Sequence, residues 1–224
     1  MILAVRAIRC GNAAVGDRGV GDFLAGVLLL AAVNAVLPPR AAVAAVVPPI
    51  EFGLKVGVPL TALMTAASSG YESQTQPYTL GPAVELKLSR RFSFEVDLLY
   101  KCMEYFFPGP AASQINTPAA AGRWELPLLM KYRFSARRCS PFLALGGSIN
   151  RVTGSHGAEK DFVELRHRSA LGLAIGFGVE RRFGPIRVAP EVRFTRWTDR
   201  NFGVRDAALR SNLSQAEFLA GFTF

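Results

Sequence analysis

Eight segments of the chain alternate residue by residue between apolar side chains and small or charged ones, which is the pattern of β-strands with one apolar side. In the first segment, Phe52, Leu54 and Val56 share one side of the strand. Gly53 and Lys55 share the other side. The predicted strands span residues 50–58, 78–88, 92–102, 124–134, 142–150, 171–180, 186–195 and 216–224. The pattern therefore predicts an all-β fold.

The links between these strands alternate in length. Short links cover 89–91, 135–140 and 182–185, and long polar links cover 61–77, 104–122, 151–168 and 198–212. A soluble β-sandwich also alternates with period two. However, strict alternation of short and long links places every long loop at one end of the molecule. That arrangement is typical of an antiparallel up-and-down barrel that crosses a membrane.

Aromatic residues on the apolar sides favour the same interpretation, because they lie at both ends of the strands. They are Tyr78, Tyr100 and Trp124 near the long loops, and Phe92, Phe134, Phe183 and Phe224 near the short links. Membrane barrels carry aromatic girdles at both interfaces of the bilayer. A general preference of aromatic residues for strands does not predict clustering at the two ends.

The opposite, inward sides carry charges of both signs in nearly equal number. They are Lys55, Lys87, Lys101, Lys131, Arg133, Arg187 and Arg193 against Glu51, Glu85, Glu95, Asp97, Glu125, Glu180, Glu191 and Glu217. Buried charges are costly unless they are paired. The balance therefore predicts a salt-bridge network inside a narrow lumen.

Strand register is predicted from the same charges. Neighbouring registers would oppose like charges, so we expect Lys87 opposite Glu95 and Glu180 opposite Arg187. Prolines within the strands count against a closed barrel, because proline removes a ladder hydrogen bond from a strand that has no free edge, and β-bulges are one way to absorb them. The three prolines concerned are Pro82, Pro127 and Pro190.

The formal net charge of +9 does not indicate a nucleic-acid partner, because the basic residues are spread over strands and turns. Cys102 and Cys139 fall at opposite ends of the predicted barrel, too far apart for a disulfide. His156, Glu159 and Asp161 share one loop, but one histidine with flexible carboxylates does not define a metal site. No metal or cofactor is expected.

The first 44 residues have the features of a secretory signal peptide. An apolar run over 23–37 follows Arg6, Arg9 and Arg18, and it precedes the small residues 42–44, where cleavage is expected. Residues 45–49 form a short lead-in, and the barrel covers 50–224. A start codon assigned too far upstream and an uncleaved anchor are the alternatives.

With this leader, four hairpins and an aromatic terminus, the chain resembles the eight-stranded outer-membrane β-barrel domain family of the OmpA-barrel and OmpX type, which are porin-like proteins. The resemblance implies location in the outer membrane of a diderm bacterium, in contact with the bilayer and lipopolysaccharide. It also implies insertion by the outer-membrane assembly machinery, which recognises a last strand such as that of Phe218, Phe222 and Phe224. One departure is Leu219, which stands where the family usually has glycine.

Side chains fill the interior of an eight-stranded barrel, so a diffusion pore is not expected. The predicted function is that of a non-enzymatic barrel that acts through its long loops in adhesion, envelope integrity or contact with an unknown extracellular ligand. A narrow gated channel is one alternative.

A lipid A-modifying hydrolase is the other alternative. The spacing of His167 and Ser169 resembles the His-x-Ser motif of the outer-membrane lipid A deacylases, and either Asp161 or Glu164 would orient the histidine. The residues that follow, 170–172, are Ala-Leu-Gly and lack the asparagine-rich context of that motif.

Overall fold

The computed structural model of the protein describes residues 50–66, 72–107, 117–135, 139–156, 164–165, 167–203 and 209–224. The described strands are β1 (Ile50–Pro59), β2 (Met64–Ala66), β3 (Glu72–Lys87), β4 (Phe92–Asp97), β5 (Leu99–Phe107), β6 (Thr117–Arg133), β7 (Cys139–His156), β8 (Glu164–Leu165), β9 (Ser169–Phe183), β10 (Ile186–Trp197), β11 (Phe202–Gly203), β12 (Leu209–Ser211) and β13 (Ser214–Thr223). The predicted signal peptide lies outside the described residues and stays a prediction.

The main sheet closes on itself as an eight-stranded antiparallel barrel. Its order is β1, β13, β10, β9, β7, β6, β4 and β3, with β5 continuing the strand begun by β4, and β1 also pairs with β3. The closing seam joins the first and last strands, with Leu54 opposite Phe222 and Val58 opposite Phe218. The predicted fold of eight barrel strands is therefore confirmed.

Several strands extend further toward the long loops than predicted. β6 has 17 residues and β7 has 18, whereas a tilted strand needs about 9–11 to cross a bilayer. The added segments, such as 72–77 and 117–121, lack an apolar side, so their sequence shows no period-two pattern. They are nevertheless paired, for example Glu72 with Phe106 and Tyr105 with Ala119, so the wall projects beyond the apolar belt at the long-loop end.

The structure accommodates the three prolines, which counted against a closed barrel, without β-bulges. The register is the same on both sides of Pro82, which faces Leu98, the residue that separates β4 from β5. Pairing likewise resumes in unchanged register beyond Pro127 and Pro190. Each proline thus costs the ladder one hydrogen bond without inserting a residue, because the neighbouring strands hold the backbone extended on both sides.

The outer surface of the barrel is apolar. Phe52, Leu173 and Phe177 are each about 60% exposed (60%, 62% and 58%). Rings pack at both ends of this belt, with the Tyr100 and Trp124 centroids 4.9 Å apart near the long loops. The exterior is therefore that expected of a barrel surrounded by lipid.

No described residue belongs to a helix with the length and hydropathy of a membrane-spanning helix.

Two small sheets join the long loops to one another, a feature that the sequence pattern did not predict. β2 in the first long loop pairs with β12 in the fourth, and β8 in the third pairs with β11 in the fourth. Strands of two or three residues are too short to show a period-two pattern. The sheets tie three of the four long loops together.

Candidate functional site

Among the residues whose burial the structure describes, the inward sides of the barrel strands hold fourteen buried charged residues, seven cations and seven anions. They are Lys55, Lys101, Arg123, Lys131, Arg133, Arg187 and Arg193 against Glu85, Glu95, Asp97, Glu125, Glu180, Glu191 and Glu217. Lys87 and Glu51 are partly buried at the short-turn end of the same set. The lumen is therefore electrically neutral although it is densely charged.

The middle of the lumen is occupied by two cations and three carboxylates. Arg193 donates through Nε to Glu191 at 2.7 Å and through Nη1 to Asp97 at 2.8 Å, and its Nη2 lies 3.3 Å from Glu95. Lys55 Nζ lies 3.1 Å from both Asp97 and Glu191, and it also contacts Glu95. Because these residues come from β1, β4 and β10, the cluster links strands that are far apart in sequence.

A second cluster lies toward the short turns. Arg133 donates to Glu180 at 3.1–3.2 Å and to the Ser93 hydroxyl at 3.0 Å, and it also contacts Glu85. Lys131 lies between this cluster and the middle one, 3.4 Å from Glu180 and 3.3 Å from Glu95. The two clusters thus form one continuous network.

Arg187 and Lys87 complete the second cluster at the short-turn end. Arg187 Nη1 lies 3.1 Å from Glu180, and both Arg187 and Lys87 contact Glu51. Lys87 and Glu51 are the most solvated members, with side chains 25% and 15% exposed. The network therefore reaches from the short-turn mouth to the middle of the lumen.

The third cluster lies toward the long loops. Lys101 Nζ lies 2.7 Å from Glu125 and 2.8 Å from Glu217, and Arg123 Nη2 lies 2.8 Å from Glu125. The Arg123 guanidinium also lies 4.5 Å from the centre of a Trp197 ring. Cation–π and ionic contacts thus close the lumen at this end.

Amide and indole groups complete this closure. Trp197 Nε1 donates to Gln215 at 3.0 Å, and Asn201 Nδ2 donates to Asn150 Oδ1 at 2.8 Å. Sequence reasoning missed Trp197, Gln215 and Arg123 as parts of the lumen, because they lie one or two residues beyond the predicted strands. Extending the alternation of inward-facing residues by two positions, from Thr195 to Trp197, would have identified the tryptophan as part of the lumen.

The predicted register of the charged strands was wrong. Glu85 lies opposite Glu95 and Lys87 opposite Ser93, so the like charges that were expected to be avoided do face each other. Arg187 likewise lies opposite Arg182. The physical reason is that cations from other strands serve the paired carboxylates, as Lys131 does for both Glu85 and Glu95. Cross-strand pairs therefore do not decide the register when the lumen is narrow enough for side chains to meet across it.

One small cavity lies among the described side chains of the lumen. A cavity beside Lys55, Glu95 and Lys131 has a volume of about 10 Å³. A single water needs about 10–15 Å³ measured in this way. The cavity therefore has room for one water at most.

The residues proposed for hydrolysis do not form a catalytic arrangement among the described residues. His167 and Ser169 are both exposed, and no hydrogen bond joins the histidine ring to the serine hydroxyl in the part of the chain that the structure describes. The backbone of His167 instead pairs with Asn201, through its N–H at 3.3 Å and its carbonyl at 3.0 Å. The side chains of Glu164 and His156 lie outside the described residues.

The aromatic residues of the last strand lie on its outer face. Phe218 and Phe224 are exposed, and the Phe224 N–H donates to the Phe52 carbonyl at 2.9 Å, which ties the terminus to the first strand. Leu219, which departs from the family pattern, points into the lumen opposite Gly57 and is fully buried. The missing side chain of Gly57 provides the space for this leucine.

A closed eight-stranded barrel with an apolar belt, two aromatic girdles and a charged, packed lumen defines the class of protein, a transmembrane β-barrel. Among solved structures, the chain is similar to the outer membrane protein OprG from Pseudomonas aeruginosa, with a TM-score of 0.52 and 12% identity over 78% of this chain and 94% of that one. The chain is also similar to Neisserial surface protein A, with a TM-score of 0.47 and 14% identity over 78% of this chain and 94% of that one. The chain has the fold of an integral outer-membrane β-barrel.

No protein-family model and no curated protein matches the sequence.

Proposed function

We propose that the protein is a non-enzymatic barrel of the outer membrane of a diderm bacterium, with a lumen closed by charged side chains and a functional surface at its long-loop end. The closed lumen carries this proposal. Three clusters of ion pairs, two of them joined by Lys131, occupy the described barrel from the short turns to Trp197, and the central Arg193 and Asp97 are fully buried. A lumen filled in this way supports a role at the surface instead of one in diffusion.

The joined loops support the choice of the long-loop end. The β8–β11 sheet and the bonds of Asn201 to Asn150 and His167 connect the third and fourth loops. The β2–β12 sheet connects the first and fourth loops, and there Asn212 Nδ2 donates to the Ala62 carbonyl at 3.2 Å. Loops held by a rigid scaffold are the usual place of binding residues. Adhesion, envelope integrity and contact with an extracellular ligand are functions that such a surface serves.

Conductance in planar lipid bilayers tests the closed lumen. The purified protein is expected to give no stable current steps, because moving an ion through the middle cluster requires breaking buried ion pairs. Reproducible steps from the folded protein would favour the gated channel and overturn the proposal.

Labelling of intact cells with a membrane-impermeant maleimide tests which end meets the outside. Asp199 is exposed at the long-loop end, and Cys139 is a free, exposed thiol at the short-turn end. We expect Asp199→Cys to be labelled on intact cells, and Cys139 of the wild type to be labelled only after the cells are permeabilised. The reverse pattern would place the long loops inside and refute the proposed surface.

Lipid A from cells that express the protein tests the non-enzymatic assignment. We expect its acylation to be the same with the wild type and with Ser169→Ala. Deacylation that requires Ser169 would establish the hydrolase instead.

A further inference from the structure

A groove of about 210 Å³ lies at the long-loop end, among outward-facing side chains of β6, β7 and β9. Trp124, Arg151 and Ser169 form its rim, and they are direct neighbours across β6, β7 and β9. Leu126 and Ile149 form an apolar wall one row nearer to the middle of the barrel. The groove therefore has a polar end near the loops and an apolar end within the belt.

Two hydrogen-bond donors at the rim lack an acceptor in the described part of the chain. Arg151 Nε and Trp124 Nε1 are both buried and make no hydrogen bond there. Glu125 and Asn150 also line the groove, but the Glu125 carboxylate pairs with Lys101 and Arg123 inside the lumen, and Asn150 Oδ1 accepts from Asn201. Buried donors in native proteins nearly always have a partner. These two donors therefore point to an acceptor supplied by another molecule.

The apolar wall below the rim has a gap. Gly147 lies between Leu128 and Leu173 on the outer face, and a Cβ added there would meet no atom nearer than 4.0 Å. Arg151, Ile149 and Gly147 follow one another on the outer face of β7, and this row, which lacks a side chain at Gly147, is called the furrow. A hydrocarbon chain is the ligand group that suits such a furrow, because it needs apolar contact and no hydrogen bonds.

We propose that the groove binds an anionic lipid through its phosphate group, in the leaflet at the long-loop end. The phosphate accepts from Arg151 and Trp124, and one acyl chain lies in the furrow over Ile149 and Gly147. A planar guanidinium matches phosphate oxygens better than other side chains do. The inference rests on the proposed membrane position of the barrel, and the experiment below separates the two.

The two tryptophans of the chain make the site measurable by fluorescence quenching. Trp197 is buried in the lumen, so Trp197→Phe leaves Trp124 as the reporter in the groove. The protein is folded into phosphatidylcholine vesicles, and brominated phosphatidylglycerol or brominated phosphatidylcholine is added at equal mole fraction. We expect the anionic lipid to compete for the groove about fivefold better than the zwitterionic one, the effect of one arginine near a membrane surface.

Arg151→Gln is expected to remove this preference while leaving quenching by brominated phosphatidylcholine unchanged. Arg196→Gln is the matched control, because Arg196 also lies on the outer wall at this end but bonds to Ser214. An equal affinity of the two lipids in the unsubstituted groove, or an equal loss of preference in both variants, would refute the site. Absence of quenching by either lipid would instead refute the membrane position of Trp124. Displacement by inorganic phosphate would indicate a site for free phosphate and overturn the lipid proposal.

Native mass spectrometry gives a second readout that does not depend on Trp197→Phe. The wild type is expected to retain one more phosphatidylglycerol molecule than Arg151→Gln when both are released from mixed micelles. Equal retention would count against the site.

Discussion

Replacing Arg193 by methionine should destabilise the barrel strongly, because this arginine holds together the middle cluster of the lumen. Its guanidinium makes contacts of 2.7–3.3 Å with three carboxylates, Glu191, Asp97 and Glu95. Methionine has a similar length and no charge. The variant therefore leaves the three carboxylates in place with Lys55 as their main cation. Lys131 also contacts Glu95, but it serves Glu85 and Glu180 as well.

The size of the effect follows from two opposing terms. Each hydrogen bond to a charged group contributes about 1.5–3 kcal/mol, and removing a fully buried guanidinium recovers a desolvation cost of several kcal/mol. What remains is the cost of leaving buried carboxylates without their cation. Breaking one side of a buried ion pair costs about 3–5 kcal/mol, which is the expected loss in free energy of unfolding for Arg193→Met.

Equilibrium unfolding in urea from phospholipid vesicles measures this loss, with tryptophan fluorescence and gel mobility without heating as readouts. Arg196→Met is the matched control, since Arg196 lies three residues further along β10 and faces outward. Removing a charge from the outer face should cost less than about 1 kcal/mol. In the double variant Arg193→Met with Glu191→Gln, one uncompensated charge is gone, so the cost of the arginine substitution should fall by about 1 kcal/mol or more.

Two results would refute the reasoning. A loss below about 1 kcal/mol for Arg193→Met would mean that the cluster does not stabilise the fold. A loss for Arg196→Met equal to that for Arg193→Met would mean that the effect comes from the substitution and not from the lumen.

Two further predictions concern the closing seam and the loops. Gly57→Val should prevent closure of β1 on β13, because a Cβ there would overlap the carbonyl oxygen of Phe218 and lie 2.6 Å from Cδ2 of Leu219. Gly147→Val, in open space on the outer face, is the control and should fold normally. Unheated gels should lose the fast-migrating folded band for Gly57→Val alone, and equal behaviour of the two variants would contradict the prediction. Asn201→Ala should speed proteolysis at the long-loop end severalfold while leaving the protease-resistant barrel intact, because the side chain joins the third and fourth loops; unchanged cleavage in a time course would contradict it.

The sequence by itself determined which residues face lipid and which face the interior. Side chains alternate sides along an extended strand, so Phe177 and Gly176 must lie on opposite faces once the strand is known. The lengths of the links determined how the strands follow one another, because a short link permits only an antiparallel neighbour. For these reasons the eight-stranded barrel and its apolar exterior could be predicted before any coordinates.

The partners of the buried charges could not be predicted in the same way. The charges on neighbouring strands predicted a register with Lys87 opposite Glu95, in which Glu85 does not face Glu95. In the folded lumen, Lys131 and Arg193 reach both neighbouring and distant strands, so two carboxylates can face each other across one ladder. Distances across a lumen depend on the closure of the whole sheet, which no local pattern contains.

The sequence alone therefore determined the sidedness and order of the strands, since both depend on local geometry repeated along the chain. Only the tertiary structure decided which charges pair, where the short sheets join the loops, and that Trp124, Arg151 and Ser169 form one row on the outer wall. These three residues are brought together by the register of three strands. Register is set by the packing of the complete barrel, and so it appears only when the sheet has closed.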